Sequence, residues 1–414
     1  MTNMGNQRCR SCGATLEHTF VDLGLSPISN ALVRLEDADK GDTFYPLHAR
    51  VCHVCWLVQL NDVVLAKEHF NDDYVYFSSF SSSWLEHARH YVENVRRRLN
   101  LTTASKVIEI ASNDGYLLQY FVKADIPCLG IEPTANTAAA AREKGVESRE
   151  VFFGSETARE LAAEGWTVDL LLGNNVLAHV PDINDFVAGM PLILKPQGVI
   201  TLEFPHLLQL IAHNEFDTLY HEHYSYLSLT ALLPIFQRAG MRVFDVEHLP
   251  THGGSLRLFV CHQGAMHVTS AAVARCLDQE VAAGLTQVKT YAAFAETVRA
   301  CKRDLLSFLI DVKRRKKRIA GYGAAAKGNT LLNYCGIGAD FIDYVVDRNP
   351  AKQNRLLPGS RIPVHAPEVI FETQPDYVLI LPWNIHNEIT AQMDGIRAWG
   401  GQFVIPIPKV GVLK

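Results

Sequence analysis

Two pairs of cysteines constrain this chain more than any other feature of its sequence. They are Cys9 and Cys12, and Cys52 and Cys55, so each pair presents two thiols from one tight turn. Two such turns complete a tetrahedral sulfur site for zinc. Gly13, directly after the first pair, can adopt the positive φ that such a turn often needs.

The zinc site is expected to be structural, because four sulfur ligands leave no position for water on the metal. A redox role is the alternative for a Cys-x-x-Cys pair. Redox pairs usually come singly, at the start of a helix, whereas this chain has two pairs. The pattern therefore favours zinc.

Length and composition narrow the class of protein. The chain has 414 residues, of which 48% are hydrophobic and 20% charged, as in globular proteins of two or three domains. Its net charge of −5 argues against a nucleic-acid-binding protein. The first residues contain no apolar signal segment, and no apolar run approaches the roughly 20 residues of a membrane span. We therefore expect a cytoplasmic protein with no membrane or nucleic-acid partner. We also expect a monomer, although the sequence does not fix the oligomeric state.

The order of predicted strands and helices divides the chain into three domains. Residues 1–70 hold the cysteine pairs and are expected to form a zinc-binding domain. Residues 71–264 alternate strands with helices, and residues 265–414 begin with a long helical region and then alternate again. The fold class is therefore α/β, with two Rossmann-like domains after the zinc-binding domain. The second sheet is expected to be smaller than the first.

The end of the middle domain indicates which kind of Rossmann-like sheet it contains. Residues 242–249 and 255–262 alternate as strands, and only the short segment 250–254 separates them. Two strands joined by so short a loop must be antiparallel. A mostly parallel sheet that closes with an antiparallel hairpin is typical of class I methyltransferases. A nicotinamide-binding Rossmann sheet normally lacks that hairpin.

A cofactor site is predicted after the first strand of this domain. Residues 107–110 form a short apolar strand, residues 111–115 a loop, and a helix is expected over 116–124. The helix N-terminus is electropositive, and Glu132, which ends the next strand, can accept both hydroxyls of a ribose. The loop lacks the dense glycines that a diphosphate requires. We therefore expect S-adenosylmethionine, with an ordinary turn without a ligand as the alternative.

Several further motifs occur along the chain in a characteristic order. They are Asp73–Tyr76, Asn113–Gly115, His221–His223, His252–Gly254, Gly321–Lys327, Tyr334–Gly338 and Asp347–Gln353. With the cysteine pairs, these motifs resemble those of the bacterial S-adenosylmethionine-dependent sugar C-methyltransferases, and the resemblance covers essentially the whole chain. Enzymes of that family act on nucleotide-linked keto-sugars, as in the pathway to tetronitrose.

The cofactor loop departs from the family pattern. The family usually has Glu-x-Gly-Cys-Asn-Asp-Gly, whereas Ala111 and Ser112 replace the glycine and the cysteine here. The methyl group of Ala111 is expected to weaken affinity where the backbone approaches the cofactor. The residues expected at the cofactor are nevertheless Glu109, Ala111, Asn113, Asp114, Gly115, Glu132 and Asn174.

The resemblance implies methylation of a carbon next to a ketone. A 4-keto sugar that loses its C3 proton becomes an enediolate, which is a carbon nucleophile, and the protein supplies a base, an oxyanion partner and alignment. His223 occupies the place of the family's proposed base, and an unperturbed imidazole, with a pKa near ~6.5, is largely neutral as a base must be. Glu222 is then expected to bind a sugar hydroxyl and Tyr74 to donate to the oxyanion. His179 is the rival base.

Other residues are expected at the substrate, a 4-keto sugar linked to thymidine diphosphate (dTDP) or, as the second choice, to guanosine diphosphate (GDP). They are Tyr76, Asn175, Tyr220, His252, Gly253, Lys327 and Asn329. Lys327 belongs to a second strand-to-helix loop, where the helix N-terminus and the lysine can hold a diphosphate. A loop with no ligand is the alternative there, and the loop lacks the Walker spacing of nucleotide hydrolases.

Other functions stay open on the sequence alone. Oxygen or nitrogen methylation needs no ketone, and an NAD-dependent sugar-nucleotide dehydrogenase could carry a zinc-binding domain. A non-catalytic binding protein with a degenerate cofactor loop is a further alternative. His221 and His223 could bind a metal with Glu222, although i, i+2 spacing outside a strand is poor ligand geometry.

Overall fold

The chain forms two compact units, each discontinuous in sequence, in a computed structural model that describes residues 7–63 and 77–413. Unit 1 consists of residues 7–17, 52–63, 77–207 and 224–286. Unit 2 consists of residues 18–51, 208–223 and 287–413. The division into domains 1–70, 71–264 and 265–414 stays a prediction.

Strands and helices alternate through most of the described residues. The strands are β1 His18–Ser26, β2 Val33–Arg34, β3 Tyr45–Val51, β4 Val58–Gln59, β5 Val107–Ile110, β6 Cys128–Ile131, β7 Ser148–Arg149, β8 Val168–Asn174, β9 Leu194–Pro205, β10 Ser225–Tyr226, β11 Met241–Leu249, β12 Ser255–His262, β13 Ile319–Tyr322, β14 Val345–Val346, β15 Arg355–Leu356, β16 Pro363–His365, β17 Tyr377–Ile380, β18 Gln402–Ile405 and β19 Gly411–Leu413. The helices are α1 Ser82–Arg98, α2 Gln119–Val122, α3 Ala135–Glu143, α4 Ser155–Ala163, α5 Ile183–Ile193, α6 Leu207–Ala212, α7 Leu229–Arg238, α8 Ala271–Ala282, α9 Val288–Arg314, α10 Ala326–Cys335, α11 Val369–Thr373 and α12 His386–Gln392.

Unit 1 contains a seven-stranded sheet in the order β11-β12-β9-β8-β5-β6-β7. Strands β9, β8, β5, β6 and β7 run parallel, and β12 is antiparallel to both β9 and β11. All four residues of β5 are buried, so this strand lies in the interior of the unit. The antiparallel hairpin over residues 241–262 confirms the prediction, and the order of the strands is that of a class I methyltransferase.

Several helices of unit 1 begin after a short polar side chain that caps them. The hydroxyl of Ser81 accepts the N–H of Trp84 at the start of α1, and the carboxylate of Asp182 accepts two N–H groups at the start of α5. The hydroxyl of Ser228 caps α7 in the same way. Each such cap satisfies N–H groups that have no partner within the helix, and is worth about 1 kcal/mol.

The helix expected over residues 116–124 is shorter in the structure. Only Gln119–Val122 forms an α-helix, and its neighbours make tight turns. The N–H of Tyr120 donates to the carbonyl of Leu117 at 3.1 Å, and that of Phe121 donates to the carbonyl of Leu118 at 2.9 Å. These i to i+3 hydrogen bonds wind the chain more tightly than an α-helix and limit its length.

Unit 2 contains an eight-stranded sheet in the order β19-β18-β17-β13-β14-β16-β15-β2. Its inner strands β18, β17, β13, β14 and β16 are parallel, and antiparallel strands close both edges. The expectation that this sheet is smaller than that of unit 1 was wrong for the number of strands, eight against seven, although its strands are shorter. The difference arises because two-residue strands and β2, from the N-terminal part of the chain, pair at its edge.

Each unit has a buried apolar core around its sheet. In unit 1 the side chains of β8, β9, α5 and α7 pack together, and in unit 2 those of β13, β17 and β18 do so. No helix within 7–63 and 77–413 is long and apolar enough to cross a bilayer.

Candidate functional site

The sulfur atoms of the two cysteine pairs converge in unit 1. The Sγ atoms of Cys9 and Cys55 lie 3.4 Å apart and those of Cys12 and Cys52 lie 3.5 Å apart. All four sulfur atoms fall within 4.8 Å of one another. Sulfur ligands placed tetrahedrally at about 2.3 Å from zinc lie about 3.8 Å from each other. The donor set therefore fits a four-coordinate zinc ion.

The turns that carry the cysteines share one backbone geometry. The N–H of Gly13 donates to the carbonyl of Cys9, and the N–H of Trp56 donates to that of Cys52, each at 2.8 Å. Gly13 and Trp56 have φ values of 76° and 63°, so the turn does use the glycine for a positive φ. Burial raises the pKa of Cys52 to about 11, and a bound cation would favour its thiolate form.

The cofactor loop after β5 has an unusual backbone. Ala111, Asn113 and Gly115 have φ values of 57°, 48° and 73°. Glycine and, to a lesser degree, asparagine tolerate this left-handed region, whereas it costs an alanine about 1–2 kcal/mol. Ala111 therefore holds a conformation that a glycine would adopt without strain.

Glu132 braces this loop from the neighbouring strand. It follows β6, which pairs in parallel with β5, so both strand ends meet at one edge of the sheet. The carboxylate of Glu132 accepts the N–H of Asn113 at 2.9 Å and the N–H of Thr134 at 3.0 Å. Burial raises its pKa. The contact of Glu132 with a ribose stays a prediction.

Buried acceptor atoms surround the cofactor loop. The ammonium of Lys144 donates to Oδ2 of Asp114 at 2.9 Å, while Oδ1 of Asp114 has no hydrogen-bond partner in the described part of the chain. The side-chain oxygens of Asn174 and Asn175, at and just after the end of β8, are also buried without a hydrogen-bond partner among the described residues. Burial raises the pKa of the buried Glu109 carboxyl well above its usual value. Such acceptors fit the amino group of S-adenosylmethionine.

A polar network that the sequence did not predict lies on β9. The carboxylate of Glu203 accepts three hydrogen bonds. They come from Nε2 of His87 at 2.9 Å, Nη2 of Arg257 at 2.6 Å and the hydroxyl of Thr251 at 2.8 Å. Burial by itself raises the pKa of Glu203, but the hydrogen bond of His87 and the charge of Arg257 hold it at about 2. The only signal was one acidic residue within the apolar strand 199–204.

This network fixes the loop before β12, which carries predicted substrate residues. His252, next to Thr251, has a φ of 55°, and its Nε2 lies 2.7 Å from Nδ2 of Asn175. The ring of Trp84 lies 5.1 Å from that of His252. Gly253 follows with a φ of 95°. The structure thus brings Asn175 and His252 together within unit 1.

The predicted catalytic histidine lies in unit 2. Nδ1 of His223 lies 3.0 Å from the carbonyl oxygen of Thr218, an acceptor that only a protonated nitrogen can satisfy. The lone pair of the neutral ring is therefore on Nε2. The ring of Tyr220 lies 4.0 Å from that of His223. His221 instead directs Nε2 to the carbonyl of Pro46 at 3.3 Å.

Glu222 is buried in unit 2, and burial favours the protonated form of its carboxyl group. Nδ2 of Asn30 donates to its Oε1 at 2.7 Å. Burial raises the pKa of Glu222 to about 7, against the opposing charge of Lys352. The carboxyl is therefore close to half-protonated at neutral pH and can either accept or donate a hydrogen bond.

Lys327 and Asn329 lie at the start of α10 in unit 2. Nζ of Lys327 donates to Oδ1 of Asn384 at 2.8 Å. Burial lowers the pKa of Lys327, and the charge of Asp217 opposes that effect. The side-chain nitrogen Nδ2 of Asn329 is buried with no hydrogen-bond partner in the described part of the chain. A diphosphate would compete with Asp217 for the lysine, so this contact stays a prediction.

The remaining predicted residues are His179, Tyr74 and Tyr76. His179 ends the short helical turn Leu177–His179, which follows β8, and its N–H donates to the carbonyl of Val176 at 2.8 Å. Tyr74 and Tyr76 lie outside the described residues. Their roles at the substrate stay predictions.

The sheet of unit 1 and its cofactor loop define a class I methyltransferase. Three family models match the chain: a zinc binding domain over residues 9–70, a methyltransferase domain over 84–246 and a C-methyltransferase C-terminal domain over 250–408. The C-methyltransferase NovU of Streptomyces niveus is 36% identical over 409 residues, which cover 98% of this chain and 96% of that protein.

Two further similarities cover a smaller part of the chain, at lower identity. A ubiquinone biosynthesis O-methyltransferase of Rhodopseudomonas palustris is 26% identical over 106 residues, 26% of this chain and 42% of that protein. A solved structure of a SAM-dependent methyltransferase from Anabaena variabilis matches with a TM-score of 0.36 and 13% identity, over 42% of this chain and 84% of that one.

The chain belongs to the S-adenosylmethionine-dependent C-methyltransferase family. S-adenosylmethionine is its methyl donor and zinc its structural metal, which confirms both predictions. The dehydrogenase, the oxygen or nitrogen methyltransferase and the non-catalytic alternatives are set aside by this membership.

Proposed function

We propose that the chain methylates C3 of a nucleotide-linked 4-keto-6-deoxy sugar, with dTDP or GDP as the nucleotide. A sugar carbon becomes nucleophilic only when a neighbouring carbonyl can take up the charge of the departing proton. A C-methyltransferase of sugars therefore needs a keto-sugar and a base near the carbon next to the ketone. The product belongs to deoxysugar biosynthesis, and we propose a cytoplasmic monomer.

His223 is the proposed base, and the observation that supports it is its hydrogen bond to Thr218. The 3.0 Å contact of Nδ1 with the Thr218 carbonyl places the proton on Nδ1 and the lone pair on Nε2. A base must carry its lone pair on a fixed atom, because proton transfer requires a heavy-atom distance of about 2.6–3.2 Å. The same contact also fixes the orientation of the ring.

Glu222 and Tyr220 are proposed to hold the sugar beside this base. Glu222, with a pKa of about 7, can accept a hydrogen bond from a sugar hydroxyl when ionised and donate one when protonated. Asn30 fixes the other side of its carboxyl group at 2.7 Å. Tyr220, whose ring lies 4.0 Å from that of His223, supplies a further contact.

Further residues are proposed at the substrate. Asn175, His179, His252 and Gly253 would bind the sugar. Lys327 and Asn329 would bind the diphosphate, and Tyr74 and Tyr76 are proposed from the resemblance alone. His179 remains the rival base.

The proposed cofactor site consists of the loop after β5 and of residues near the ends of the neighbouring strands. S-adenosylmethionine, when bound, supplies an electrophilic methyl group. Glu132 would bind its ribose, and Glu109, Asp114 and Asn174 would bind its amino group. Ala111, Asn113 and Gly115 would line its path with backbone. The buried acceptors of Asp114 and Asn174 support this assignment.

Solvent exchange tests the proposed chemistry. The protein is incubated in heavy water with a 4-keto-6-deoxy sugar nucleotide and S-adenosylhomocysteine, and deuterium in the sugar is measured by mass spectrometry. Proton abstraction predicts deuterium at C3 without any methyl transfer. No deuterium uptake by an active wild-type protein would contradict carbanion chemistry.

His223→Ala tests the base, with His213→Ala as the control because His213 is exposed on the same segment. We expect His223→Ala to lose about 10²–10⁴-fold in both exchange and methylation while it still binds S-adenosylhomocysteine. His213→Ala should match the wild type. Near wild-type exchange by His223→Ala would transfer the role to His179. Methylation assays over dTDP- and GDP-linked sugars would identify the nucleotide.

A further inference from the structure

Arg10 lies between the first two zinc ligands, and its side chain is only 10% exposed. Its guanidinium reaches three separate acceptors in unit 1. Nη1 donates to the carbonyl of Pro181 at 2.6 Å, and Nη2 donates to the carbonyl of Leu60 at 2.6 Å and to Oδ1 of Asp62 at 2.7 Å. The planar guanidinium suits this arrangement, because its donors diverge in fixed directions.

The carbonyl of Pro181 belongs to the segment that carries His179. This segment, residues 177–181, links β8 to α5, and the N–H of Tyr224 donates to its Ala178 carbonyl at 2.8 Å. Tyr224 also lies under Arg10, with the guanidinium carbon 5.4 Å from the ring centroid. The carbonyl of Tyr224 in turn accepts the N–H of Leu60 at 3.0 Å. The guanidinium of Arg10 thus contacts both the 177–181 segment and Tyr224, which is hydrogen-bonded to that segment.

A second set of contacts docks the same cysteine turn on the helices of unit 1. Nδ2 of Asn184, in α5, donates to the carbonyls of Arg10 and Ser11 at 2.9 and 3.0 Å. Nη2 of Arg238, in α7, donates to the carbonyl and the hydroxyl of Ser11 at 3.1 and 2.9 Å. The contacts of Arg238 hold the turn but do not involve the 177–181 segment. Docking and segment positioning are therefore carried by different side chains.

We propose that Arg10 is a positioning residue for the 177–181 segment, and that the zinc-bound turn gives it a fixed base. Zinc ligands on both sides of Arg10 restrain its backbone, so its long side chain reaches Pro181 from a defined origin. This inference rests on the proposed function through the substrate role of His179. A displacement of about 1 Å in a substrate-binding residue can reduce turnover about 10²-fold.

Three alanine variants separate positioning from docking and from simple proximity to the zinc. Arg10→Ala removes the contact with Pro181, and Arg238→Ala weakens only the docking of the turn. Arg8→Ala is the matched control, since Arg8 flanks Cys9 on the other side and its guanidinium donates to the Gly13 carbonyl, at 3.1 Å. Zinc content, thermal unfolding, S-adenosylhomocysteine affinity and kcat are measured for each full-length protein.

We expect Arg10→Ala to keep its zinc and its affinity for S-adenosylhomocysteine, and to lose about 10- to 100-fold in kcat. Guanidinium added at a non-denaturing concentration should restore part of that kcat. Arg238→Ala should unfold at a lower temperature with an unchanged kcat, and Arg8→Ala should match the wild type. Equal losses of kcat in Arg10→Ala and Arg238→Ala would overturn the proposal, because docking alone would then explain them.

Amide hydrogen exchange separates failure of this inference from failure of the proposed function. The N–H of His179 and the N–H of Tyr224 are both hydrogen-bonded within this region, so their protection reports on its order. Arg10→Ala should lower protection of residues 177–181 about tenfold, and Arg238→Ala should not. Lowered protection with an unchanged kcat would contradict the role of His179 at the substrate. Unchanged protection in Arg10→Ala would contradict the positioning role itself.

Discussion

Replacement of Glu203 by glutamine is expected to destabilise unit 1 by about 3 kcal/mol at neutral pH. The pKa of Glu203 lies at about 2, against an ordinary 4.5, because His87, Arg257 and Thr251 outweigh the effect of burial. At about 1.4 kcal/mol for each pH unit, this difference corresponds to about 3 kcal/mol. Deletion of one member of a buried ion pair costs about 3–5 kcal/mol, which agrees. We expect the lower end, because Arg257 keeps a contact with Glu247 at 3.2 Å.

The pH dependence of this loss gives the stricter test. A carboxylate with a lowered folded-state pKa stabilises the protein above its unfolded-state pKa, and that contribution disappears as the pH falls through the folded-state value. The difference between the wild type and Glu203→Gln should therefore be full near pH ~7 and should shrink from about pH 4.5 towards about pH 2. Urea unfolding at a series of pH values measures it. Since both proteins share the zinc site, metal loss in acid cancels in the comparison.

Two controls accompany the measurement. The side chain of Glu247, the other partner of Arg257, is 39% exposed. Glu247→Gln should therefore lower the free energy of unfolding by less than about 1 kcal/mol. Glu203→Gln combined with Arg257→Met removes both buried charges and should recover part of the loss. A difference between wild type and Glu203→Gln that stays constant on acidification would refute the assignment of the stabilisation to the ionised carboxylate.

Three other predictions concern the cofactor loop, the zinc site and the sugar site. Ala111→Gly should stabilise the protein by about 1 kcal/mol in urea unfolding and should not weaken S-adenosylhomocysteine binding, whereas Ala139→Gly, in the exposed part of α3, should destabilise it by about 1 kcal/mol. Cys52→Ser should lose zinc by metal analysis and unfold at a lower temperature, and full zinc occupancy would contradict the ligand set. The pKa of Glu222, raised to about 7, makes the folded state bind the extra proton between about pH 4.5 and 7. As the pH rises from about 4.5 to 7, the stability of the wild type should therefore fall by about 3 kcal/mol more than that of Glu222→Gln. The same pH dependence of stability in both proteins would contradict the burial of this charge.

Local features of this fold were predictable because neighbouring residues create them. Each cysteine pair forms a turn within a few residues, and Gly13 has the positive φ expected of it. The hairpin over residues 241–262 follows from two alternating segments joined by a short loop. The loop after β5 is equally local, although Ala111 holds the left-handed conformation that its sequence alone would not suggest.

The sequence predicted the candidate site less completely. His223 could be proposed from its motif, but its proton position depends on the carbonyl of Thr218. Lys327 carries a charge that suits a diphosphate, yet the fold places it near Asp217, which no local pattern indicated. Tertiary neighbours therefore decide what these side chains can do, because a charge or a lone pair depends on what surrounds it.

The amino-acid sequence by itself determined the class of protein: zinc ligands, a class I sheet with its closing hairpin, and a loop suited to S-adenosylmethionine. The tertiary structure alone decided that Glu203 gathers His87, Thr251 and Arg257 from distant parts of the chain. It likewise decided that Arg10 reaches Pro181. Periodicity and spacing record backbone geometry over a few residues, whereas a buried charge needs partners that only the packing of separate strands and helices can bring within hydrogen-bonding distance.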